Sequence, residues 1–110
     1  MSIRVTLRTQ LTNAMKSRDA DAMAALRSAM AAIGNAEAVS VEAPRSGAIE
    51  ASPVGVGAAE APRRELTEAD LIAIVSAEVD ERREAVQHLS DERASSVLAE
   101  IAVLEALLAS

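Results

Sequence analysis

Glu78, Asp80, Glu81 and Glu84 place four carboxylates within two turns of a would-be helix, and a pair of carboxylates is what general acid/base catalysis uses. A simpler account is at hand. Glu78 precedes Arg82 by four residues and Asp80 precedes Arg83 by three, acid before base, the order that stabilises a solvated helix face. No neighbouring residues signal a pocket or an oriented substrate group. His88 is the sole histidine. Glu84 shares its helix face, yet a metal held between helices draws acids and histidines from several of them. The N-terminal half offers only Asp19 and Asp21, so His88 is expected beside the last carbonyls of a helix or in solvent. Ser28, Ser76, Ser95 and Ser96 have no nucleophile-elbow context. Gly55 and Gly57 follow Pro53-Val54 with no lysine after them, which is not a phosphate loop. The expectation is a non-enzyme with no catalytic residue, no metal and no cofactor.

The remaining chemistry is that of contact. Arg27, Arg63, Arg64, Arg82 and Arg83 are the candidate RNA or partner contacts, because the planar guanidinium suits bidentate phosphate pairing. Against RNA stand a pI near 4.7 and the absence of any aromatic residue to stack a base. The bland alternative is that these arginines pair with nearby acids. Arg82 and Arg83 fall where an apolar residue is due, so one of them is expected to snorkel or to pair across an interface.

Charge divides the chain. From Met1 to Asn35, Arg4, Arg8, Lys16, Arg18 and Arg27 oppose Asp19 and Asp21, a net +3; from Ala36 to Glu65 the net is -2; from Leu66 to Ser110 it is -7. The two ends should attract each other or partners of opposite sign. Half the residues are apolar and none is aromatic, so the core must be Leu, Ile, Val, Met and much Ala, a composition of closely approaching helices with modest burial per residue. The lack of cysteine fits a reducing compartment, and no segment has the layout of a membrane span or signal peptide. A cytoplasmic protein of one domain, 1–110, is expected.

Four helices must position these groups. Ile3, Leu7, Leu11 and Met15, with Ala14, define one face of a first helix ending near Ser17. Asp19 is a suitable N-cap for a second, whose Met23, Leu26, Met30 and Ile33 form a core-packing stripe flanked by Ala22, Ala25 and Ala29. Gly34 and Asn35 are stop residues. Residues 38–64 hold all three prolines and three of the four glycines, a long connector in which Val39 and Val41, with Val54 and Val56, could alternate as a short ribbon instead of an irregular loop. Thr67 and Asp70 make a capping box for a third helix with the stripe Ile72, Val75, Val79, Val86 and Leu89, and Leu71 beside it. Asp91 opens a fourth, with Val97, Ile101, Leu104 and Leu108. The fold expected is all-α: two antiparallel helical hairpins, 1–35 and 67–108, joined by a long Pro/Gly-rich loop.

These pieces, in this order, resemble the GatB/YqeY family of small bacterial proteins and amidotransferase tails. Arg64-Glu65-Leu66-Thr67-Glu68-Ala69-Asp70-Leu71, the run from Glu78 to Val86 and the run from Ala99 to Leu108 are similar to its second half. Met15-Lys16, Asp19 and Leu26-Arg27 match its early motif. The resemblance covers both hairpins. It implies a helical accessory or binding module associated with tRNA-dependent amidotransferase, with tRNA or components of that enzyme as partners. The other reading is a module that binds a protein partner or forms a homodimer, with no RNA role. The connector is longer than in many members. The family continues past the fourth helix into a smaller helical subdomain, often through a Y-L-P type turn, whereas this chain ends at Leu108-Ala109-Ser110; the expectation is a member lacking that subdomain.

Overall fold

The computed structural model describes residues 2–42 and 65–110. They form four helices: α1, Ile3–Ser17; α2, Ala20–Glu42; α3, Glu68–Val86; and α4, Asp91–Ala109. Among the described residues there is no strand, and no helix is long and apolar enough to cross a membrane.

Local chemistry explains most helix ends. Ser2 caps α1 by accepting from the Arg4 amide. The chain leaves α1 through Arg18, which takes the left-handed conformation (φ 57°), while the Asp19 amide donates to the Ala14 carbonyl at 2.9 Å, satisfying an otherwise orphaned acceptor. Asp19 then caps α2, as expected, through an Ala22 N–H to Oδ1 bond of 3.1 Å. Thr67 and Asp70 form the reciprocal capping box at the start of α3, and Ser90 caps α4.

The expected stop at Gly34-Asn35 is corrected: α2 runs on to Glu42. A glycine ends a helix when it turns left-handed, and no described glycine has a positive φ. Ala36 and Ala38 restore helix propensity after a local cost of about 1 kcal/mol. Glu37, one turn beyond Gly34, is also anchored, since its Oε2 accepts from Arg4 Nη2 of α1 at 2.5 Å. The first five residues of the expected connector are thus helical, and a ribbon at Val39 and Val41 is excluded. Pro44, Pro53, Pro62, Val54 and Val56 lie outside the described residues.

α2 touches all three other helices, and the most extensive contact is between α3 and α4. Its buried face carries Ala22, Ala25 and Ala29 beside Leu26 and Ile33, so little side chain separates it from its neighbours. Leu71, Val75 and Val79 of α3 and Ile101, Leu104 and Leu107 of α4 complete the core with Ile3, Leu7 and Ala14 of α1. Leu71, not Ile72, leads the α3 stripe: Leu71, Val75 and Val79 repeat every four residues, which leaves Ile72 on the flank and partly in water. At the start of α3, the Ile3 amide donates to Glu68 Oε2 at 2.8 Å, tying the first turn of α1 to that of α3. Thr6 Oγ1 is buried with no hydrogen-bond partner, an arrangement that costs about 1 kcal/mol or more.

Candidate functional site

Arg82 occupies the position in α3 where the apolar repeat breaks, and its surroundings show why an arginine is tolerated there. Its Nε donates to Glu100 Oε1 of α4 at 2.9 Å, and its Nη1 donates to Glu78 Oε1 at 3.1 Å and to the Glu78 carbonyl at 3.2 Å. Ser28 of α2 donates from Oγ to the same Glu78 oxygen at 2.5 Å. The side chains of Arg82, Glu78 and Glu100 are only 16%, 13% and 18% exposed. The Arg82 guanidinium therefore ties α3 to α4, and the Glu78 carboxylate that it holds ties α3 to Ser28 of α2, at the edge of the core.

Arg83 also turns inward on the chain. It pairs with Glu105 of α4, not with Asp80 as the spacing implies. Asp80 has no ion pair among the described residues. The expected Glu78–Arg82 pair is present. His88 is exposed, its Nε2 lying 3.5 Å from Glu84 Oε1. Arg27 is exposed on α2 and makes no ion pair among the described residues. Arg63 and Arg64 lie outside the described residues. Among the five candidate arginines, then, the two on α3 are committed to α4 and only Arg27 stands open on a described surface. No three of His, Asp and Glu gather as a metal-ligand group among the described residues.

A different concavity emerges between α1 and α2. A groove of about 190 Å³ is lined by Arg4, Leu7 and Arg8 of α1 and by Met30, Ile33, Gly34 and Glu37 of α2. Leu7 and Ile33 are buried, whereas Met30 is 42% exposed rather than core-packed as its stripe implies. A Cβ built on Gly34 would meet nothing within 4 Å, so the missing side chain leaves open space. Arg4 is held by Glu37; Arg8, one turn along the same face, has no ion pair among the described residues. α1 contains no acidic residue at all. The sequence carried a signal for this place, two arginines one turn apart on an acid-free helix, but not the neighbour that makes a groove of it.

The chain matches no known protein-family model, no curated protein and no solved structure.

Proposed function

We propose that this chain is a non-catalytic accessory module of the GatB/YqeY kind, associated with tRNA-dependent amidation, which engages a protein partner rather than gripping RNA phosphates. The observation that carries the second half of this reading is the commitment of Arg82 and Arg83 to Glu78, Glu100 and Glu105. Phosphate would have to displace carboxylates already in contact, against the repulsion of a half of the chain with net charge -7. The family association rests on the motifs of Met15 to Arg27 and Arg64 to Leu108. With it goes the finer architecture: two antiparallel hairpins joined through the Pro/Gly-rich segment. We assign the protein to the cytoplasm, in keeping with a chain free of cysteine.

Gel filtration of the protein with tRNA at low and moderate salt tests this. The chain has no Tyr, Trp or Phe, so absorbance near the RNA maximum follows the tRNA alone. An unshifted tRNA peak at both salts is expected. A peak shifted earlier at low salt and released at moderate salt would replace protein contact with phosphate binding.

A further inference from the structure

We propose that the α1–α2 groove is a docking site for an acidic amphipathic helix of a partner protein, with the partner's apolar stripe over Met30 and Gly34 and its carboxylates on Arg8 and Arg27. This rests on the protein-binding reading above and names the surface and the partner's chemistry.

The groove combines buried Leu7 and Ile33 and half-exposed Met30 with three charged side chains, of which Arg4 and Glu37 pair with each other and Arg8 does not. Apolar residues continue the same two helix faces. Leu11 and Met15 follow Arg8 by three and seven residues on α1, and Met23 and Arg27 precede Met30 by seven and three on α2, so helix geometry places each set on one face. Met15 is half-exposed and Leu11 and Met23 are partly buried against the core. A groove containing Met30, flanked on the same helix faces by Met15 and Met23, matches a helix that presents anchors at i, i+3, i+4 and i+7, because the thioether side chain adapts its shape to what it meets. At Gly34 nothing occupies the space a side chain would fill, so an incoming residue can reach the backbone of α2.

Charge selects the sign of the partner. The first 35 residues carry net +3, and Arg8 and Arg27 have no intramolecular ion pair among the described residues to surrender. Carboxylates flanking an apolar stripe would gain two charge-assisted contacts without breaking one. A nucleic acid fits the same cations poorly, since its phosphates would lie over an apolar floor and no aromatic ring is present to receive a base.

The test uses the whole protein and a synthetic acidic amphipathic peptide, with Leu at helical spacing, Glu between and one Trp in the apolar stripe. The protein contributes no aromatic emission, so the blue shift of that Trp reports docking directly. Saturable binding is expected, weakened about tenfold or more by Gly34→Leu, which fills the floor, and by Arg8→Glu, which reverses the rim. Arg93→Glu on α4 should leave it unchanged, and a Lys-for-Glu peptide should not bind. Far-UV circular dichroism confirms that each variant remains helical. Absent binding, or binding indifferent to both groove substitutions, would overturn the site. tRNA that displaces the peptide and is itself lost with Arg8→Glu but not with Gly34→Leu would make the groove a phosphate contact and overturn it too. Failure of the peptide while tRNA still elutes unshifted would sink the groove alone and leave the broader protein-binding reading standing.

Discussion

The α1–α2 pair and the α3–α4 pair are built from similar amphipathic helices, yet they treat charge in opposite ways. In α3–α4 two of the three arginines are turned onto the acids of the same pair: Arg82 lies between Glu78 and Glu100 and Arg83 meets Glu105, while Arg93 has no ion pair among the described residues. In α1–α2 the basic residues outnumber the acids, and among the described residues only Arg4 has an acidic partner within the pair, Glu37. Two arginines of the second pair are therefore engaged in holding helices together, whereas Arg8 and Arg27 of the first pair have no ion pair among the described residues. Where a protein spends its arginines distinguishes a scaffold from a contact surface more clearly than how many it has.

Arg82→Ala should break this contrast most strongly. It leaves two carboxylates facing each other at the edge of the core, and a loss of about 2 to 3 kcal/mol is expected, read as a lower denaturant midpoint by far-UV circular dichroism. Arg8→Ala, the matching change in the other pair, should move that midpoint by less than about 0.5 kcal/mol, since Arg8 has no ion pair among the described residues to lose. Equal losses from the two would erase the distinction.

Next in size is Gly34→Ala. The added Cβ meets open space and the residue lies inside α2, so thermal unfolding should shift upward by about 0.5 to 1 kcal/mol of stability. A loss instead would mean that the groove floor is already in use in the folded protein. Smallest is Arg83→Ala. Its pair with Glu105 lies in water, with the arginine side chain 58% exposed, and a change within about 0.5 kcal/mol is expected. The gap between Arg82→Ala and Arg83→Ala, neighbours in sequence, measures how far burial rather than pairing supplies the stability of α3–α4.

Much of the fold was legible because its determinants are local. Asp19 and the Thr67–Asp70 box mark helix starts through bonds made within four residues, and the four-residue repeats mark buried faces. The misread places have one cause. Gly34 looks like a stop until Glu37 is seen held by Arg4, thirty-three residues away. Ile72 and Met30 look like core until the neighbouring helices leave them at the edge.

The same division holds for function. Residue types and their spacing were enough to mark the four helices of the described residues, with a basic front and an acidic back, and to single out the arginines as the groups worth following. Which of those arginines is available was settled by long-range geometry. A guanidinium is free or committed according to what stands within about 3 Å of it. For Arg82 that neighbour is Glu100, on another helix, while for Arg8 it is an apolar groove formed with α2. No periodicity along one helix carries that information, because the partner's distance in space is unrelated to its distance along the chain.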